Sequence, residues 1–379
     1  MKKKKSFTIR DIAENAGVSP ATVSLVLNGK GEISGETRAR VLEAVSRLNY
    51  VPRVAKTGNG TSGPGETIRF LKISKHGGTV NRDHSVFVSD YIDGMSSEAS
   101  RRNYTLEVAS FEGQPVSAVA ESLAGAPVRG VIALGTELSA VDIHMIQGMG
   151  LPTVFIDTFY DVVEANFVDM NNEDAVFKVL SHFKQSGFSR IGFVASPTET
   201  MNFRLRREAY VKNMQRLNLK VQPEDILSVE STYEGAYRDT RELLKSGHDL
   251  AECYFCTNDI IAYGFIRALK ESGVRIPEDV SVIGFDNLPQ SATMEPMLTT
   301  VDVSKRKIGN VAVSILDDLI NAADKQPAVK VLVGADLVIR QSDSVLSSRK
   351  RSASNWKLLA SNAPIFQGVS LSFMMDQSR

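Results

Sequence analysis

From Thr67 to about Ser342 one pattern repeats: a short apolar run of strand length, then a longer segment with apolar residues at helical spacing. This constrains the fold more than any other feature. Runs at 68–73, 105–109, 130–134 and 153–156 read as strands, with helices such as 87–102 and 116–124 between them. A second series reads as strands at 190–194, 226–229, 251–255 and 280–285, separated by helices at 174–185, 204–217, 235–244 and 260–272. A helix between two strands carries the chain back to start the next strand in the same direction. Two doubly wound parallel sheets are therefore expected. Ligands of such sheets bind beyond the carboxyl ends of the strands, so two sheets side by side make a cleft.

Charge separates the first residues from the rest. Up to Arg53 the chain carries ten basic and five acidic residues, and since the whole is neutral the remainder carries −5. A basic head on an acidic body suits a polyanion met only by the head. Four lysines, Lys2 to Lys5, open the chain, but no apolar run follows before Arg10 and Asp11, so they do not read as a signal peptide. No stretch of eighteen apolar residues spans a membrane. The two cysteines, Cys253 and Cys256, cannot staple a chain of 379 residues; they read as buried thiols in a reducing compartment, the cytoplasm.

The head spells three short helices. Thr8 and Asp11 read as a capping box, Ile9, Ile12, Ala13 and Ala16 as an apolar stripe, and Gly17 as a left-handed stop. Ser19 caps a second helix with Pro20 at its first position and Val23, Val26 and Leu27 inward; Ser34 caps a third, with Val41, Val45 and Leu48 inward. Two helices joined by a three-residue turn form a helix-turn-helix. A helix entering the major groove needs small hydrogen-bonding side chains at its start, and Ser19, Thr22, Ser24 and Asn28 supply them.

The stretch Thr8-Ile-Arg-Asp-Ile-Ala-Glu-Asn-Ala-Gly-Val-Ser-Pro-Ala-Thr-Val-Ser-Leu-Val-Leu-Asn28, followed by Leu48-Asn-Tyr-Val-Pro52, closely resembles the DNA-binding head of the lactose/galactose repressor (LacI/GalR) family. The resemblance implies that Pro20, Ala21 and Leu25 face base edges and that Ser19, Thr22, Ser24 and Asn28 contact phosphates, with Tyr50 counted in the DNA-contact set. Pro20, Ala21 and Leu25 can touch thymine methyls but cannot make bidentate hydrogen bonds to guanine or adenine. Family members carry a hinge helix after this Pro, with a leucine that wedges into the minor groove. This chain instead reads Arg53-Val-Ala-Lys-Thr-Gly-Asn-Gly-Thr-Ser-Gly-Pro-Gly65, with no leucine, a flexible linker. Its Gly58-x-Gly60-x-x-Gly63 follows no strand and opens no helix, so it is not a dinucleotide fingerprint.

The later region looks like the same family's effector-binding core, shared with periplasmic sugar-binding proteins. The resemblance rests on Leu151-Pro-Thr-Val-Phe-Ile-Asp157, Arg190-Ile-Gly-Phe-Val, Thr257-Asn-Asp-Ile-Ile-Ala-Tyr-Gly264 and Ile276-Pro-Glu-Asp-Val-Ser-Val-Ile-Gly-Phe-Asp286. Leu298-Thr-Thr-Val301 marks the return of the chain to the first half, so both lobes are discontinuous and three crossovers hinge the cleft. The expected division is a head at 1–50, a linker at 51–66, a core at 67–342 and a serine-rich extension at 343–379. Within the core the first lobe is expected at about 67–162 and 291–325 and the second at about 163–290 and 326–342.

Asp286 follows an expected strand directly, and Asp157 and Asn258 also come after expected strands, so all three lie at strand carboxyl ends, on the cleft, and they match family positions that hold effector hydroxyls. Arg206, also a matching position, supplies a planar fork of donors. Tyr233 matches an aromatic that stacks on the ligand, and Ser85 lies in a first-lobe loop that contributes to it. Five dispersed histidines, no G-x-S-x-G elbow and no P-loop leave no enzymatic, metal or cofactor reading. The expectation is an all-α helix-turn-helix head on an α/β, periplasmic-binding-protein-like core: a cytoplasmic repressor acting as a homodimer on a pseudo-palindromic double-stranded operator. Its small effector is expected to be a sugar or sugar derivative, with a nucleobase second. The competing expectation is a small-molecule binding protein without operator-specific activity.

Overall fold

The computed structural model describes residues 9–19, 22–23, 26, 34, 37, 40–41 and 43–45 of the head, then 66–75, 85–198 and 200–343. The chain divides into two compact units between Thr61 and Ser62.

In the first unit, α1 (Ile9–Ala16) buries Ile12, Ala13 and Ala16 against Val23, Val26, Val41 and Ala44. Gly17 takes φ +63°, a conformation that costs an L side chain roughly 1–2 kcal/mol, and the Val18 N–H closes the turn onto the Ala13 carbonyl at 3.0 Å. The Thr22 N–H donates to Ser19 Oγ at 3.1 Å and the Thr37 N–H to Ser34 Oγ at 3.3 Å, so the serines cap the second and third helices as expected. The box expected at Thr8 and the inward Leu48 lie outside the described residues, as does the linker.

The second unit contains two six-stranded sheets with the same strand order. The first runs in the order β11-β5-β4-β3-β1-β2 and the second β12-β10-β9-β8-β6-β7. The strands are β1 (Thr67–Ser74), β2 (Thr105–Glu112), β3 (Gly130–Leu134), β4 (Thr153–Ile156), β5 (Asn166–Met170) and β6 (Ile191–Ala195). They continue with β7 (Ile226–Ser228), β8 (Cys253–Cys256), β9 (Ser281–Phe285), β10 (Thr299–Val303), β11 (Lys330–Val333) and β12 (Ala335–Val338). All pair in parallel except β10 with β12, which is antiparallel. Buried on both faces, β3, β4, β6, β8 and β9 read as unbroken apolar runs for that reason.

The helices are α2 (Ser85–Arg101), α3 (Val116–Leu123), α4 (Ala140–Gln147), α5 (Asn172–Gln185), α6 (Met201–Arg216), α7 (Tyr233–Lys245), α8 (Asp259–Glu271) and α9 (Lys305–Asn321). Helices α2 and α9 cover one face of the first sheet, and α3 and α4 the other. Where α2 and α9 cross, a Cβ on Gly94 would collide with the Arg306 carbonyl and one on Gly309 with that of Tyr91, so only glycine lets the backbones meet. Cys253 and Cys256 are buried thiols that are not joined in a disulfide. Among the described residues no helix is long and apolar enough to cross a membrane.

The structure moves the expected lobe boundaries. Asn166–Met170, expected in the second lobe, is β5 of the first sheet, and Lys330–Val333, also expected there, is β11 of the same sheet. Thr299–Val303, expected in the first lobe, is β10 of the second sheet. The chain therefore crosses between lobes at Asn171, Ser304 and Gly334, each one strand later than expected. Pairing with a neighbour, and not the apolar pattern of the segment itself, decides which sheet a strand joins.

Candidate functional site

Four strand ends and two helix starts meet between the lobes. From the first lobe come Thr136 beyond β3, Asp157 beyond β4, and Phe87 and Val88 in the first turn of α2; from the second come Asn258 beyond β8, Asp286 beyond β9, and Asn202, Phe203 and Arg206 on α6. Asp157 and Asp286 end the corresponding strands of the two sheets, and both take left-handed backbone, φ +60° and +113°. Such conformations cost on the order of 1–3 kcal/mol and persist where the surroundings hold them.

Asp157 is buried. It accepts from the Tyr91 hydroxyl at 3.0 Å, from the Thr136 hydroxyl, and from the Asn202 amide of the opposite lobe at 3.2 Å. Asn202 also donates to the Asp157 carbonyl at 3.1 Å and accepts from Asn172 at 2.8 Å, so one side chain ties the lobes together. The Arg206 guanidinium lies over the Phe285 ring, its Cζ 3.7 Å from the centroid. Its Nε donates to Asn172 at 3.0 Å, its Nη1 to the Thr257 carbonyl at 2.8 Å, and its Nη2 stands 3.7 Å from Asp286. Lys305, at the start of α9, donates to the Asp286 carbonyl at 2.7 Å.

The buried carboxylates resist ionisation. Desolvation pushes Asp286 up to about 6 against the pull of Arg206 and Lys305. Asp169 on β5 is pushed up to about 8 by burial and then by the Asp157 charge. Asp259 goes up to about 7, by burial and then by Asp286. Asp259 accepts from the Leu288 N–H at 2.9 Å, Ser291 at 2.6 Å and Thr300 at 2.5 Å, and so fixes the loop that carries Asp286.

Of the side chains singled out from the sequence, Asp157, Arg206, Asn258 and Asp286 line this one crevice. The Oδ1 of Asn258 caps α8, accepting from the Ile261 N–H at 2.9 Å. Tyr233 is a correction: it opens α7, its hydroxyl 3.4 Å from Arg267, and it lines a separate hollow with Arg267 and Met294. The reason is topological, since α7 follows β7, the outer edge strand, whereas Asn258 and Asp286 follow the inner strands β8 and β9. Ser85 begins α2, the helix whose first turn brings Phe87 to the crevice. Thr136, Asn202, Asp169, Lys305, Phe87 and Phe203 were missed. Thr136 was within reach, because it follows the run 130–134 as Asp157 follows 153–156.

In the head, Ser19 is exposed, and its hydroxyl lies 2.9 Å from that of Thr22 at the start of the second helix. Pro20, Ala21, Ser24, Leu25, Asn28 and Tyr50 lie outside the described residues. Among the described residues no cluster of His, Cys, Asp and Glu could hold a metal ion.

Residues 8–53 match the family model of bacterial regulatory proteins, lacI family, and residues 180–342 that of the periplasmic binding protein-like domain. The chain is 28% identical over 340 residues to the HTH-type transcriptional repressor PurR of Haemophilus influenzae (strain PittEE), covering 88% of this chain and 98% of that protein. Identity to its namesake in Pasteurella multocida (strain Pm70) is also 28%, over 338 residues, with the same coverage. Among solved structures, the lac repressor dimer bound to operator and the anti-inducer ONPF matches with a TM-score of 0.64 at 27% identity, over 89% of this chain and 99% of that one. A transcriptional regulator CelR–cellobiose complex shares the fold with a TM-score of 0.66 at 24% identity and the same coverage. These relatives are regulators and not enzymes. A lacI-type head and a two-lobed periplasmic-binding-protein-like core in one chain, as in the repressors it resembles over most of its length, make this protein a member of the LacI/GalR family of ligand-responsive, DNA-binding transcriptional repressors.

Proposed function

We propose that the crevice between the lobes holds a sugar or sugar derivative and that its occupancy sets how tightly the head grips a pseudo-palindromic operator. The observation that carries this reading is the meeting of Asp157, Asn202, Arg206 and Asp286 from both lobes beside the Phe87 and Phe203 rings. Carboxylates accept from neighbouring hydroxyls, the amide and guanidinium donate back, and an aromatic face covers the apolar side of a pyranose. The CelR–cellobiose relative supports the class by fold alone. The two phenylalanine rings also suit a planar nucleobase, which the PurR relatives favour as the second reading.

The head acts through Ser19 and Thr22 on phosphates, with Pro20, Ala21 and Leu25 against base edges, as the family resemblance implies. Two heads of a homodimer read the two halves of the operator, in the cytoplasm. Thermal-shift screening of the full chain against sugars, nucleosides and nucleobases tests the effector class, because a ligand that binds only the native state stabilises it by mass action. A sugar that raises the melting temperature and shifts operator affinity confirms the reading. A purine that does both while no sugar does replaces it.

A further inference from the structure

A second hollow adjoins the crevice, on the other side of Phe203, which lines both. It lies at the carboxyl ends of β6 and β8, where the connection leaving β6 runs to β7 on one side and the one leaving β8 runs to β9 on the other, the place where open α/β sheets bind ligands. Its walls carry Arg204 and Arg207 from α6, Ser196 and Thr198 from the loop after β6, and Ser228 at the end of β7. Arg207 has no hydrogen-bond or ion-pair partner among the described residues, and Arg204 pairs only with exposed Glu208, at 3.3 Å. Other arginines of the same lobe pair with carboxylates: Arg190 grips Asp225 and Asp249, and Arg216 grips Glu173. Unpaired Arg207 and Arg204, whose one partner is an exposed carboxylate, stand three residues apart on one helix and form a positive patch beside the effector crevice.

The hydroxyls point to the same chemistry. Ser196 Oγ accepts from the Thr198 N–H at 3.1 Å, which leaves its own hydrogen to donate. Because Phe203 lines both spaces, the hollow lies within reach of a group projecting from a molecule seated between the lobes.

We propose that this hollow is an anion subsite and that the effector is a sugar bearing a negative group, a phosphate ester or a carboxylate, which Arg204 and Arg207 hold while the neutral ring sits in the crevice. The inference rests on the sugar reading above and narrows it. Two guanidinium forks match the oxygens of a phosphate or carboxylate, and charge-assisted hydrogen bonds of this kind raise affinity about tenfold to a hundredfold.

The test uses calorimetry on the full chain with matched probes: a neutral hexose series, the same hexoses as 6-phosphates, the corresponding hexonates, and inorganic phosphate alone. The expected result is that one anionic form outbinds its neutral parent at least tenfold, that the advantage shrinks with added salt, and that Arg204→Gln/Arg207→Gln removes it without changing the affinity for the parent. The phosphate and carboxylate arms separate the two sources of charge. Equal affinity for neutral and anionic forms, or an advantage that survives the double substitution, overturns the subsite and leaves the sugar reading intact. Binding of inorganic phosphate that depends on both arginines, with no sugar bound, keeps the subsite and overturns the sugar. No binding of any anion overturns the proposal outright.

Discussion

At the scale of single residues, the crevice is governed by how much burial costs a carboxylate. Asp286 is 4% exposed, and desolvation outweighs the two cations beside it. Asp286→Asn keeps the shape, removes the charge and supplies donors where a ligand hydroxyl needs an acceptor. Effector affinity should fall about tenfold to a hundredfold, on the order of 1–3 kcal/mol, read by calorimetry. Unchanged affinity would take Asp286 out of the site. The same burial predicts a pH dependence of stability. The folded values of Asp169, Asp259 and Asp286, about 8, 7 and 6, all lie above the ordinary 3.8, so the folded protein binds more protons than the unfolded chain. The stability these groups contribute is complete below about pH 4 and is lost as pH rises through their folded values. The melting temperature should therefore fall from pH 5 to pH 9, and Asp169→Asn should flatten the decline. A melting temperature that rises over that range contradicts the assignment.

At the scale of elements, the first lobe depends on one helix crossing. Gly94 and Gly309 let α2 and α9 touch backbone to backbone, and α2 brings Phe87 and Tyr91 to the crevice while α9 brings Lys305. A methyl at Gly309 forces the helices apart. Gly309→Ala should cost about 1–3 kcal/mol of stability in denaturant titrations. Effector affinity should fall with it, because Tyr91 positions Asp157. A neutral substitution would show that the crossing has room to spare. In the head, the elements were legible for local reasons: the left-handed Gly17 and the caps at Ser19 and Ser34 need only a few residues each, and all stand where their chemistry placed them.

At the scale of the whole molecule, the lobes are joined by three crossovers, at Asn171, Ser304 and Gly334, and Asn202 and Lys305 tie them across the cleft. A ligand that binds only one arrangement shifts the balance between them, and operator affinity follows through the same equilibrium. Asp286→Asn should therefore weaken the effector's influence on operator binding in step with its affinity. For the head, net positive charge and phosphate contacts predict an operator affinity that drops by roughly a thousandfold or more between 50 and 200 mM salt, if about six phosphates are neutralised. Thr22→Ala should weaken operator and non-operator DNA by the same few-fold, because a phosphate contact carries no base information. Mobility-shift titrations at several salt concentrations check both, and a Thr22→Ala loss confined to the operator would place Thr22 at a base edge.

The sequence by itself determined the fold class, the elements of the head and the place of three of the crevice side chains. Each rests on local chemistry: caps and turns, the period of apolar runs, and the rule that a polar residue at the carboxyl end of a buried strand faces the cleft, which placed Asp157, Asn258 and Asp286. Arg206 came from family resemblance and lies on a helix that the structure starts three residues earlier than expected, at Met201. Only the tertiary structure decided the rest. Asn166–Met170, with Asp169 in its middle, does not read as an apolar strand, and its place in the first sheet comes from hydrogen bonds to β4 and β11. Tyr233 lay on the wrong side because β7 is an edge strand, a fact of sheet order and not of spacing. Asn202 and Lys305 gained their roles only by standing opposite a partner from the other lobe. Local pattern fixes which elements form and which way their side chains alternate, whereas the pairing of distant strands and the meeting of two lobes depend on contacts between residues far apart in the chain.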